Sequence, residues 1–189
     1  MRRVLRALLY LPLFVALLLI FVVTHELGHT VLARILGDPT STFYLVKIDE
    51  TSTCLGCNIY DQSKLSWGAN LLVSLGGLLA TQLVALTLLL ISRYRRVGTR
   101  LRRWLRATGL AYVLLDVVVQ GLQGLLYDVQ QQTWPTEVDL LDVMLLIRQQ
   151  WPLAQTFLKG AIVLLAAAYL ALALRLYRRP ATAGRLEGI

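Results

Sequence analysis

The sequence predicts an all-α polytopic membrane protein with about four transmembrane helices and a small β-hairpin loop after the first. Hydrophobic residues make up 57% of the chain and charged residues only 16%, whereas soluble domains have about 45–50% and about 25%. Several apolar runs approach the ~20 residues that a helix needs to cross a bilayer. Arginines cluster beside these runs, as at the cytoplasmic face of a membrane protein. The 189 residues fit a single membrane-embedded domain, 1–189.

Four apolar stretches define the predicted spans. As one helix, the first would be about 48 Å long at about 1.5 Å per residue. Because a bilayer core is about 30 Å thick, this helix must tilt, kink near Pro12 or project from the membrane. Gly37, Asp38 and Pro39 then predict its end. The predicted spans are 5–36, 70–91, 109–127 and 153–175.

The polar loop 38–66 predicts the hairpin. Alternating side chains over 43–48 indicate a short strand, residues 54–57 a turn, and residues 58–60 a returning strand. The turn contains Cys54 and Cys57, the only cysteines in the chain. A zinc knuckle or redox pair is the less favoured interpretation, because no further Cys or His is free to complete a second metal site. We expect a local disulfide or two unpaired thiols.

The distribution of basic residues predicts the orientation. The net charge is +8, and seven arginines lie within residues 92–106. With four spans, this segment and both basic termini fall on one side, which the positive-inside rule makes cytoplasmic. The loops 38–66 and 128–151 fall on the other side. We therefore expect a multi-pass protein of a bacterial or archaeal cell membrane, with both termini cytoplasmic, a lipid bilayer as its surroundings and no nucleic-acid partner.

One motif carries chemistry: His25-Glu26-Leu27-Gly28-His29 has the HExxH pattern. On a helix, residues four apart share a face, so His25 and His29 can bind one metal ion. Zinc lowers the pKa of a bound water, and Glu26 is placed to accept its proton. Catalytic zinc sites normally have three protein ligands. Because the chain has only two histidines, the remaining ligand must be an Asp, Glu or Cys, from this chain or another subunit.

An HExxH motif on an early transmembrane helix resembles the site-2 protease family of intramembrane zinc metalloproteases. Residues 74–80 resemble the Gly-rich patch of that family, and residues 127–139 resemble its turn-and-Asp stretch. The resemblance covers roughly residues 10–150 and implies that Asp139 is the third zinc ligand. By the charge argument, Asp139 also lies on the same side of the membrane as the motif. The alternatives for this ligand are Asp116, Asp142 and Asp128; Asp116 is equally interpretable as a buried polar contact between helices.

The resemblance implies a zinc metalloendopeptidase that holds one Zn2+ per chain through His25, His29 and Asp139, with Glu26 as its catalytic base. Its substrate would be a membrane protein or peptide cut inside or next to the bilayer. Two alternatives remain open: a catalytically silent membrane protein of the same fold that acts by partner binding, and a zinc-dependent lipid hydrolase. The substrate, the pathway and the oligomeric state are left open by the sequence.

Overall fold

The fold is mostly helical, with one small sheet. A computed structural model describes residues 2–48, 53–94, 97–118, 120, 139–152 and 154–178. The elements in chain order are α1 (Arg2–Leu36), β1 (Thr42–Ile48), β2 (Thr53–Ile59), a 3-10 turn (Gln62–Lys64), α2 (Trp67–Ser74), α3 (Gly76–Ile91), α4 (Thr99–Val113), a π-helical turn (Leu114–Val118), α5 (Asp139–Gln150) and α6 (Ala154–Arg178).

Two helical stretches in the described residues are long and apolar enough to cross a membrane: Phe14–Leu36 in α1 and Phe157–Arg178 in α6. The pair α2 and α3 makes a third if the two helices count as one broken span. These three match the first, second and fourth predicted spans. For the third, 109–127, the structure has helix only through residue 118 and at residue 120, and the rest lies outside the described residues. Within the described residues, two or three of the four predicted spans are thus present, and the number of four is not confirmed.

The second predicted span, 70–91, is divided in two. Helices α2 and α3 meet at Leu75 with a bend of 44°. Gly76 and Gly77 follow the bend at once, and glycine has low helix propensity because its backbone is so free. The hydroxyl of Ser66 starts α2 by accepting a hydrogen bond from the backbone N–H of Ala69 at 3.2 Å. The break leaves the start of α3 directed at α1, where the HExxH motif lies.

The predicted hairpin is present, but its turn was misplaced. Strands β1 and β2 pair antiparallel, with Tyr44 opposite Cys57 and Lys47 opposite Cys54, so the two cysteines lie inside β2 rather than in a turn. Gly56 has φ +71° and shortens the strand there, since the Cα atoms of Cys54 and Cys57 are 6.2 Å apart. Three extended residues would span about 10 Å. The cysteines form a local disulfide, one of the two states expected.

Two segments predicted as loops contain helices. Helix α4 begins at Thr99, inside the arginine-rich segment 92–106, because arginine is a good helix former and the segment has an amphipathic period. Helix α5 occupies residues 139–150 of the predicted loop 128–151. Its first turn carries Asp139 and Asp142, and carboxylates at this end stabilise a helix through its dipole. Residues 128–138 lie outside the described part of the chain.

Glycines allow the central helices to approach closely. A Cβ atom on Gly28 of α1 would overlap the carbonyl oxygen of Gly76 at the start of α3. A Cβ on Gly109 of α4 would lie 2.9 Å from the carbonyl oxygen of Ala85 of α3. Helix α3 is thus in backbone contact with both α1 and α4. A buried apolar cluster beside the second crossing contains Ala85, Leu89, Tyr112, Val113 and Ala173.

The end of α1 is tied to the segment before α2 by one buried carboxylate. Gly37, at φ +135°, ends the helix, and the fully buried Asp38 follows. Asp38 accepts hydrogen bonds from the hydroxyl of Thr40 at 2.5 Å and from the backbone N–H of Asp61 at 2.7 Å. Lys64 Nζ lies 3.3 Å from the same carboxylate. These hydrogen bonds, that of Thr40 above all, hold the pKa of Asp38 well below its usual range.

Candidate metal centre

The two histidines of the HExxH motif meet Asp139 in the interior of the protein. Nε2 of His25 lies 3.0 Å from Oδ2 of Asp139, and Nε2 of His29 lies 3.2 Å from Oδ1. All three side chains are largely buried. One ligand atom from each residue lies within 4.8 Å of the others, so His25, His29 and Asp139 form a group that can hold a metal ion.

The spacing of these ligand atoms fits a small tetrahedral ion. Zinc–ligand bonds of about 2.0–2.1 Å place neighbouring tetrahedral ligands about 3.3 Å apart. The two imidazole nitrogens lie 3.0 and 3.2 Å from the Asp139 carboxylate, each from a different oxygen, and one ligand atom from each of the three residues lies within 4.8 Å of the others. The donor set of two imidazoles and one carboxylate is also one that catalytic zinc sites use. Gly77 forms one wall of the site, because a Cβ atom there would meet Nε2 of both histidines. The residues present therefore fit a zinc ion.

His29 is oriented by the main chain of α2. Its Nδ1 lies 2.6 Å from the carbonyl oxygen of Val73. The backbone N–H of Gly77 lies 3.4 Å from the same nitrogen, but the contact with the carbonyl is much shorter. Since a carbonyl only accepts hydrogen bonds, Nδ1 carries the proton and donates it to Val73. In a neutral imidazole, Nε2 then keeps its lone pair for a metal. Nothing in the sequence marks Val73 for this role, because any residue has a carbonyl and only the fold decides where it points.

Asp116 lies next to the site without joining the ligand group. It is 1% exposed, and its Oδ1 is 3.6 Å from Nδ1 of His25, the nitrogen that faces away from Asp139. The π-helical turn Leu114–Val118 carries it, and π-turns are frequent at functional sites. The described geometry groups Asp139 with the histidines and places Asp116 behind His25, as a buried polar contact between helices.

The other two alternatives for the third ligand have different outcomes. Asp142 follows Asp139 by one helical turn and lines the cavity beside the site, but it is not in the ligand group. Burial and the neighbouring Asp139 carboxylate raise the pKa of Asp142 to about 6. Asp128 lies outside the described residues.

A cavity of about 180 Å³ opens over the three ligands. Glu26, the predicted catalytic base, lines it together with both histidines. The other lining residues are mostly polar and include Asn58, Tyr60, Ser74 and Asp142. The cavity therefore brings a carboxylate, the ligand group and several hydrogen-bonding side chains to one place.

Strand β2 contributes Gly56, Cys57 and Asn58 to the lining of this cavity. Gly56 packs so closely on α1 that a Cβ atom there would overlap Val22 and lie 3.4 Å from Cγ of Glu26. The side-chain oxygen of Asn58 accepts hydrogen bonds from Thr30 and Ser41, both at 3.0 Å. These two bonds fix the orientation of the Asn58 amide. Sequence reasoning missed Asn58 and Tyr60; the one available signal was a polar pair at the end of a strand.

Comparisons of this chain with protein-family models, with curated proteins and with solved structures find no match.

Proposed function

We propose that this protein is an intramembrane zinc metalloprotease of the site-2 protease type, which hydrolyses peptide bonds of membrane-embedded or juxtamembrane substrates. The observation that carries the proposal is the joint placement of Glu26 and the group His25, His29 and Asp139 around one cavity. If His25, His29 and Asp139 only stabilised the fold, the carboxylate of Glu26 would not be needed in the same cavity.

Each residue has a defined part in this reaction. His25, His29 and Asp139 would hold the zinc ion, which when bound polarises a carbonyl and lowers the pKa of a water towards about 7. Glu26 accepts a proton from the attacking water and passes it to the nitrogen of the scissile amide, which leaves as an amine. The Val73 carbonyl keeps the His29 proton on Nδ1 and away from the metal side of the ring.

The location of the cavity supports a substrate that comes from the membrane. Both histidines lie in Phe14–Leu36, one of the two stretches able to cross a bilayer. A substrate helix must unwind locally before hydrolysis, because its amides are bonded internally in lipid. Strand β2 lines the cavity, so an unwound segment would lie beside an extended chain. The polar lining favours a peptide over the acyl chain of a lipid, which would need a long apolar tunnel.

The test measures zinc content and hydrolysis on the same preparations. The full chain is purified in detergent and assayed with a panel of single-span peptides whose membrane segments contain helix-breaking residues. We expect about one zinc per chain, lost in His29→Ala and weakened in Asp139→Asn. Glu26→Gln keeps the size of the side chain but removes the base. It should retain zinc and slow hydrolysis by about 10²–10⁴-fold.

Three outcomes are distinguishable. Wild-type protein without zinc would exclude the metalloenzyme. Zinc-loaded protein in which Glu26→Gln is as active as wild type would exclude Glu26 as the base. If neither protein cleaves any peptide and a cellular effect of deleting the protein is restored by Glu26→Gln, the catalytically silent, partner-binding alternative is correct.

A further inference from the structure

We propose that Asp116 is a positioning residue for the metal centre. Its carboxylate accepts a hydrogen bond from Nδ1 of His25 and thereby keeps the lone pair of Nε2 directed at the metal. This inference rests on the proposed function, since it concerns how the same site prepares its ligands. It assigns a role to a buried carboxylate that the hydrolytic reaction itself does not use.

The first observation is the unequal surroundings of the two imidazoles. Nδ1 of His29 has a carbonyl acceptor at 2.6 Å. Nδ1 of His25 is buried and has no hydrogen-bond partner within the described ranges of the chain. A buried polar nitrogen without a partner is costly. The nearest carboxylate oxygen, Oδ1 of Asp116, is 3.6 Å away, so a movement of a few tenths of an ångström would form the bond.

The second observation is the way in which Asp116 is held. Its Oδ2 accepts hydrogen bonds from the hydroxyl of Thr81 and from Nε2 of Gln82, the latter at 3.0 Å. Its Oδ1 accepts one bond, from Nε2 of Gln120 at 3.2 Å. Oδ2 is thus fully used by neutral donors, whereas Oδ1 has acceptor capacity left on the side of His25. An ionisable group in a membrane-protein interior is expensive and is usually functional.

Gln120 connects this carboxylate to the ligand group. Its Nε2 lies 3.2 Å from Oδ1 of Asp116 and 3.4 Å from Oδ2 of Asp139. The hydrogen bonds of metal ligands to groups behind them are known to fix ring orientation and tautomer. Asp116 would thus hold the proton of His25 on Nδ1, as the Val73 carbonyl does for His29.

Replacement of Asp116 by Asn should reverse the tautomer of His25. Two donors, the Thr81 hydroxyl and Nε2 of Gln82, hold Oδ2, whereas Nε2 of Gln120 alone holds Oδ1. The Asn side-chain oxygen should therefore take the place of Oδ2, while the Gln120 amide turns over and accepts from the Asn NH2 group. The Asn NH2 group then faces Nδ1 of His25, which becomes an acceptor. The proton of the neutral ring moves to Nε2, where it blocks the metal.

The experiment compares zinc affinity of wild type, Asp116→Asn and Asp38→Asn by competition with a chromophoric chelator, on the full chain in detergent. Asp38 is the matched control, because it is a fully buried, hydrogen-bonded aspartate outside the ligand group and its cavity. We expect zinc to bind Asp116→Asn about 10–100-fold more weakly and Asp38→Asn with wild-type affinity. Equal affinity of wild type and Asp116→Asn would overturn the inference, while the zinc bound by wild type would leave the proposed function intact.

A second measurement decides the point even if Asp116→Asn fails to fold. Long-range proton–nitrogen NMR of metal-free wild-type protein labelled at histidine, at a pH at which both rings are neutral, reports which nitrogen carries the proton. The metal-free form is used because zinc on Nε2 would itself force the proton onto Nδ1. With two histidines in the chain, the spectrum contains four imidazole nitrogens. Both Nδ1 atoms should be protonated in the wild type, and that of His25 alone should lose its proton in Asp116→Asn. An unprotonated Nδ1 on His25 in the wild type would refute the role of Asp116.

Discussion

Gly77→Ala tests how closely α3 packs on the two histidines of the candidate metal centre. A Cβ atom at this position would fall on Nε2 and Cδ2 of His25 and on Nε2 of His29, closer than real contacts allow. Retreat of the α3 backbone from α1 would give up the close packing of the neighbouring Gly76 on Gly28. We therefore expect the two imidazoles to move away from the positions in which they face Asp139.

The magnitude follows from two opposed effects on folding and one effect on metal binding. Overpacking by one methyl group costs about 1–3 kcal/mol, whereas alanine in place of glycine inside a helix gains about 1 kcal/mol. The free energy of unfolding of the metal-free protein should thus fall by no more than about 2 kcal/mol. Ligand distances tolerate only about 0.2 Å, so we expect zinc affinity to fall at least about 10–100-fold, as when ligand orientation is lost.

The assay is chelator competition for zinc together with thermal unfolding followed by circular dichroism, both in the same detergent. Gly68→Ala is the matched control, because Gly68 lies inside α2 and a Cβ atom there meets nothing within 4 Å. The control should bind zinc like wild type and unfold at an equal or higher temperature. If folded Gly77→Ala binds zinc with wild-type affinity, the α3 backbone does not confine the ligands and the reasoning is wrong.

Two further predictions concern stability and orientation. Because the pKa of Asp38 is lowered in the folded protein, its contribution to stability is present above the unfolded pKa of about 3.9 and is lost as pH falls through the folded value. Unfolding monitored from about pH 6 down to about pH 1 should show this acid loss in wild type and less of it in Asp38→Asn; identical profiles would contradict it. Reporter fusions after Arg106 and after Ile189 should be cytoplasmic, and a fusion within 51–60 external. An external C-terminus would mean that the number of spans is odd.

The sequence determined the features that depend on neighbouring residues. The apolar run of α1 and its end at Gly37 follow from composition and from helix-stop chemistry. The histidine pair follows from the helix period, because residues four apart share a face in any helix. The hairpin was predictable from alternation, although residues 54–57, predicted as its turn, belong to β2. The reason is that Gly56, with its positive φ, stays inside β2 and only shortens it.

Tertiary structure decided everything that joins distant segments. Asp139 follows His29 by 110 residues; the resemblance of residues 127–139 favoured it, but the sequence left Asp116 and Asp142 open. The choice depends on where α5 packs against the helices that hold the motif. The contacts of the Val73 carbonyl and the Asp116 carboxylate with the histidines were also decided by tertiary structure. A sequence does not show where a backbone carbonyl or a buried acidic side chain will point. Their positions depend on how closely α3 packs against α1 and α4. Glycines at these two helix crossings, Gly28 with Gly76 and Gly109 with Ala85, let the helix backbones come into contact.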